Sequence, residues 1–151
     1  MVGLVLAAIL TLGATMERDD MQHARGTFEV KMTPVETAAD AAPDAPGRML
    51  IAKVYHGDIE GAGAGEMLAT LGPDQSGAYV AMERVTGTVN GRSGSFMIVH
   101  RGVMDRGAQD LSITVVPGSG TGDLVGISGV YVLTIDGDEH RYDLEYALPE
   151  S

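Results

Sequence analysis

Eight side chains in this sequence have types and spacings that bear on chemistry: His56, His100 and His140, the carboxylates Asp58, Glu66 and Glu83, and the ring hydroxyls of Tyr142 and Tyr146. Each histidine falls in phase with an apolar run of alternating residues, so three imidazoles facing one interior would be a metal-site reading. Strand direction argues against it. His56 comes near the end of a second strand and His100 near the end of a fifth, which in an up-and-down barrel puts them at opposite mouths. His100 and His140 should share a mouth, but two histidines need carboxylates as well, and Glu139 or Asp105 would have to turn inward. The expectation is therefore no metal and no cofactor, with the histidines hydrogen-bonded at wet rims.

Glu83 is in phase with Tyr79, Ala81 and Val85, and Glu66 lies opposite a Met67 face. A buried glutamate with a raised pKa can act as a general acid, and two carboxylates sharing a proton can activate water. Glu83, Glu66 and Asp58 are the candidates for such an acid peptidase-like hydrolase, or for an isomerase. The Asp-Thr/Ser-Gly signature of pepsin-like enzymes is absent. The favoured explanation for Glu83 is instead an ion pair with an arginine on a neighbouring strand, Arg48 or Arg92.

Other chemistries are excluded. There is no cysteine, hence no thiolate nucleophile or zinc–thiolate site. Gly118-Ser119-Gly120-Thr121-Gly122 lacks the lysine and the following helix of a phosphate loop and reads as a flexible strand connection. Ser93 and Ser95 enter a strand from a hairpin, not a helix from a nucleophile elbow. A net charge of -11, from 10 Lys+Arg against 21 Asp+Glu, with no basic run, opposes nucleic-acid binding.

The elements that must position these residues are strands. Alternation of apolar and polar residues predicts strands at 26–33, 48–58, 60–71, 77–89, 93–103, 108–116, 128–135 and 139–148. Asn90-Gly91 and Asp136-Gly137 mark tight hairpins. Pro34 is expected to stop the first strand, and residues 35–47 to form a loop with at most a helical turn. In the second strand Leu50, Ala52, Val54 and His56 form the apolar face. Met49 and Ile51 leave its other face apolar too, to be covered by a loop, the N-terminal tail or a partner subunit. Gly61, Gly63 and Gly65 imply close approach or curvature in the third strand. The eighth strand puts His140, Tyr142, Leu144 and Tyr146 on one side. Successive hairpins favour an all-β, closed, antiparallel up-and-down barrel of about eight strands, because closure removes exposed edges. Residues 23–149 form this one domain and residues 1–22 a tail. Val2–Ala14 is apolar, but too short to span a bilayer and without a basic flank, and Met16 and Met21 offer alternative starts. A cytoplasmic location is expected, with export as the alternative if residues 1–14 act as a signal peptide.

The segments HARGTFEVKMTP from His23, HGDIEGAGAGEML from His56, YVAMERVTGTVNGRSGSF from Tyr79 and LSITVVPGSGTGDLVGISG from Leu111 closely resemble the bacterial family catalogued as domain of unknown function 3224. The resemblance spans about residues 21–148. It implies an allene oxide cyclase-like barrel, often oligomeric, and no settled reaction.

The leading functional expectation is a barrel that binds a small, partly apolar ligand. Tyr142, Tyr146, Glu83, His100, His140, His56, Arg48 and Arg92 are the candidate contacts, and methionines such as Met67, Met82, Met97 and Met104 the adaptable wall. The alternatives are the carboxylate enzyme and an oligomeric structural module. A homo-oligomer is expected, with no nucleic-acid partner and no membrane span.

Overall fold

Alternation along each strand decides the architecture, since a sheet with one apolar face closes on itself to hide that face. The computed structural model describes residues 21–150. Its eight strands are β1 (Gln22–Val35), β2 (Gly47–Gly57), β3 (Ile59–Leu71), β4 (Gly77–Val89), β5 (Arg92–Asp105), β6 (Ala108–Val115), β7 (Ser128–Asp136) and β8 (Glu139–Ala147). Each pairs antiparallel with the next, and β8 pairs with β1 to close the barrel.

Strand bounds follow the sequence pattern, with β1 the exception. It runs through Pro34, which lies opposite Met49 of β2. β8 accompanies β1 only from Gln22 to Phe28. Beyond that point one edge of β1 is free, and a residue without an N–H is tolerated there. Residues 36–46 contain turns and no helix. Asn90 and Gly91 both take positive φ, 47° and 81°, as a type I′ hairpin requires. Arg106-Gly107 makes the same kind of turn, at 50° and 85°.

The core joins the inward faces of all strands except β3, which contributes Ile59 and then glycines. The two ends of the barrel differ. At one end the β6–β7 connection folds inward and buries Leu124 and Ile127 among the core residues. It is stitched to β5, with Thr121 N–H donating to Ser95 O at 2.8 Å and Ser95 N–H donating to Thr121 Oγ1 at 3.0 Å. The glycine-rich segment 118–122 is the half-exposed lead into this plug, held to β5 by these hydrogen bonds and by Met97 N–H donating to Ser119 Oγ at 2.9 Å. The other mouth, where β1, β3, β5 and β7 end, stays open. The barrel wall is uneven as well, because β6 and β7 pair through a single position, Thr114 opposite Val130.

The inward face of β2 is the opposite of the one expected. Ile51, Lys53 and Tyr55 are buried, while Leu50, Ala52, Val54 and His56 are exposed. Tyr55 decides the phase: an aromatic ring buried in the core outweighs the smaller side chains of the alternate set.

Candidate functional site

The register that buries Tyr55 also carries a lysine inside the barrel. Lys53 and Tyr55 of β2 face Glu83 of β4, whose side chain has no solvent exposure. Gly63 of β3 lies between them, and its missing side chain is what makes room. A Cβ there would sit 3.0 Å from the Glu83 carboxylate and 3.1 Å from the Tyr55 ring.

Tyr55 donates its hydroxyl to Glu83 Oε2 at 2.7 Å. Lys53 Nζ donates to the same oxygen at 3.4 Å and lies 2.9 Å from Oε1, where the approach is too oblique for a hydrogen bond. Oε1 therefore has the ammonium's charge beside it and no aligned donor. Three rings surround the ammonium, with centroids 4.4 Å (Phe28), 5.7 Å (Tyr55) and 5.7 Å (Tyr131) from Nζ. A buried charge is costly unless paired, and here a carboxylate and aromatic faces supply the compensation. His100 of β5 completes the group, with Nε2 4.0 Å from Glu83 Oε2. That Nε2 and the Tyr131 hydroxyl are buried without a hydrogen-bond partner.

Burial sets the protonation states. Desolvation, then the neighbouring Tyr131 and Glu83, push the Tyr55 hydroxyl far above the ordinary tyrosine range, so it remains a donor. Burial likewise pushes Tyr131 up. Burial, assisted by the charge of Lys53, lowers His100 to about 4, leaving its imidazole neutral near pH 7.

Above this cluster the open mouth holds a cavity of about 150 Å³. Phe28, Val30, Met32, Ile51, Met67, Tyr79, Leu133 and Ile135 form its walls, while Lys53, His100 and His140 supply the polar groups. His140 stacks obliquely on Phe28, with ring centroids 5.1 Å apart. A second cleft of similar volume adjoins it through Tyr79, Leu133 and Ile135, and opens between Leu111 of β6 and Leu133 of β7.

The structure brings some of the sequence candidates together and separates others. His100 and His140 share the open mouth, as strand direction predicts, and Glu83 lies beneath them. His56 points outward and meets Glu29 at 3.2 Å. Arg48 is on the outer wall, donating to Glu66 at 2.8 Å, and Arg92 is exposed at the β4–β5 hairpin. Neither arginine pairs with Glu83; Lys53 does. Tyr142 and Tyr146 face inward but lie toward the plugged end and line no wall of the cavity. The Tyr142 hydroxyl accepts from Ile59 N–H at 2.9 Å and donates to His56 O at 3.0 Å, and burial pushes its pKa up to about 12. The Tyr146 hydroxyl accepts from Asn90 Nδ2 at 2.8 Å. Glu83, Glu66 and Asp58 do not form a carboxylate pair: Glu66 is on the outer wall, and Asp58, in the β2–β3 turn, accepts from the Arg25 N–H. Of the methionines, Met67 lines the cavity and Met104 the adjoining cleft, whereas Met82 is exposed outside. Among the described residues no cluster of three or more His, Asp or Glu side chains could hold a metal ion. No helix among them is long and apolar enough to cross a membrane. Lys53, Tyr55, Phe28 and Tyr131 were not singled out by the sequence. The available signal was the alternation Met49, Ile51, Lys53, Tyr55, in which a lysine shares the phase of an aromatic residue.

A family model described as a protein of unknown function (DUF3224) matches residues 24–146. A crystal structure of a protein of unknown function from that family, from Shewanella oneidensis MR-1, is 35% identical, with a TM-score of 0.80, covering 87% of this chain and 99% of the other. No curated protein matches the sequence.

Proposed function

The chain belongs to the DUF3224 family, whose function is unknown, and from its own residues we propose that it binds a small, partly apolar molecule in the open mouth of its barrel. The observation that carries this reading is the join of two unlike surfaces. An apolar cavity of about 150 Å³ ends on Lys53 and on His100, whose Nε2 is buried and unpartnered. A ligand with an apolar body and one polar head would fill the first and satisfy the second. A cavity of this volume suits a molecule of about benzene size. Tyr142, Tyr146, His56, Arg48 and Arg92 have no part in this version of the site, and Glu83 acts from beneath it.

The test is titration with benzyl alcohol, followed by NMR. Resonances of His140, Tyr79 and Ile135 should shift saturably, and Met67→Trp, which fills the cavity, should abolish the shifts while leaving the remaining spectrum folded. Shifts confined to the outer wall, or none at all, would end the proposal.

A second reading, self-association, rests on the outer wall. Leu50, Leu68, Val80, Met82 and Val99 are between 39% and 52% exposed and lie side by side across β2–β5. The Arg48–Glu66 pair within this patch gives a twofold-related copy of the chain charges of both signs to meet. Light scattering that gives the monomer mass at working concentration would dismiss it.

A further inference from the structure

The chain has only two lysines, and they occupy opposite environments. Lys31 is exposed on the outside of β1. Lys53 is 7% exposed and reaches the floor of the open-mouth cavity. A barrel that needed only a cation there could have used any of its eight arginines' chemistry. Arginine stays protonated at any ordinary pH, whereas a lysine amine can give up its proton and act as a nucleophile.

We infer that Lys53 captures small apolar aldehydes or ketones as a reversible protonated Schiff base. This rests on reading the cavity as a ligand site and names the ligand's reactive group. Three features of the floor support it. The first is a proton acceptor: the Glu83 carboxylate, to whose Oε2 Lys53 Nζ donates at 3.4 Å, with Oε1 2.9 Å away. The second is a cation site that the product retains. An iminium nitrogen carries the same charge as the ammonium it replaces, so the Glu83 carboxylate and the faces of Phe28, Tyr55 and Tyr131 stabilise both. The third is the wall, since a carbon attached to Nζ has an apolar cavity to occupy.

The chemistry balances without an oxidant or reductant. The Lys53 ammonium passes one proton to Glu83, leaving a neutral amine and a carboxylic acid. The amine lone pair forms a bond to the carbonyl carbon, and the carbonyl π electrons move to oxygen. A proton moves from nitrogen to that oxygen, giving a neutral carbinolamine. The Glu83 acid then protonates the carbinolamine hydroxyl, the C–O bond breaks, and water leaves as the nitrogen lone pair forms the C=N bond. The products are a protonated imine, the Glu83 carboxylate and one water. Neutral His100, close to Glu83 Oε2, is placed to hydrogen-bond the oxygen as it changes.

The experiment uses the full chain, benzaldehyde and sodium cyanoborohydride, with peptide mass spectrometry to locate the trapped benzyl group. Lys53 should be labelled roughly tenfold or more faster than Lys31, because the cavity holds the aldehyde against its amine beside a carboxylate that takes up and returns the proton, and benzyl alcohol should slow labelling of Lys53 alone. Glu83→Gln should slow labelling at Lys53 and leave Lys31 unchanged. Since the decisive comparison is made within the unaltered protein, loss of folding in a variant cannot obscure it. Labelling of Lys31 that equals or outruns Lys53 would overturn the inference. If benzyl alcohol still shifts His140 and Tyr79 in that case, the cavity reading survives without the covalent step; if it does not, both fall.

Discussion

Deleting either member of the Lys53–Glu83 pair leaves the other's charge in a site almost without water. Lys53→Met or Glu83→Gln alone should therefore cost about 3–5 kcal/mol of stability. The double variant should recover much of that loss, because no charge remains to be compensated. Urea denaturation of the four proteins measures the coupling, and additive losses would show that the two groups act independently. His100 gives a second residue-level expectation. Its folded-state pKa of about 4 lies below the ordinary 6.5. Between those values the unfolded chain binds more protons than the folded one, so stability is full above pH 6.5 and drains away as the pH falls toward 4. The total is about 3 kcal/mol. His100→Asn should flatten this segment of the pH–stability curve, read as urea midpoints at about pH 7 and about pH 5; a slope unchanged by the substitution would assign the dependence to other groups. At this scale the sequence was only partly legible. Glu83 and His100 announce themselves by sharing a phase with apolar neighbours. Lys53 does not, because a lysine in a strand ordinarily faces water, and only its pairing with Tyr55 two residues on reveals the inward turn.

Along single elements, β3 shows how an absence can build a site. Gly63 leaves the space that the Glu83 carboxylate and the Tyr55 ring share. Gly63→Ala should cost about 1–3 kcal/mol through overpacking. Gly47→Ala is the matched control, since its Cβ would find its nearest neighbour, Ala69 O, at 3.8 Å and should be close to neutral. Thermal midpoints of the two variants make the comparison, and equal midpoints would mean that the Glu83 side chain yields freely. Element existence was well marked in the sequence, by hairpin pairs such as Asn90-Gly91 and by the even alternation of β8. Facing was harder on β2, where both phases are apolar: Leu50, Ala52 and Val54 on one side, Met49, Ile51 and Tyr55 on the other. Alternation tells which residues travel together, and ring burial tells which set goes inside. Pro34 misled for a related reason. Its missing donor matters only where a strand has neighbours on both edges, and the staggered closure of β1 against β8 was not written in local sequence.

At the scale of the whole molecule, the two ends of the barrel divide the work. The plug containing Leu124 and Ile127 closes one end with apolar packing, which leaves the other free to carry the polar cluster and its cavity. This division follows from the long connection between β6 and β7, the only one whose residues fold back into the core among those described. The same connection explains why those two strands touch at a single rung. A wall joined at one rung behaves as a slit. A guest held as proposed, with its head at Lys53, would not be confined to the volume above it, because its far end could slide out sideways between Leu111 and Leu133. Affinity across straight-chain aldehydes from butanal to decanal should therefore climb and then level off, instead of collapsing once the chain outgrows the cavity. Calorimetry on that series would register the plateau, and a sharp cut-off at one length would mean that the slit stays shut. Such a protein would recognise the functional group at one end of its guest and be indifferent to how long the guest is.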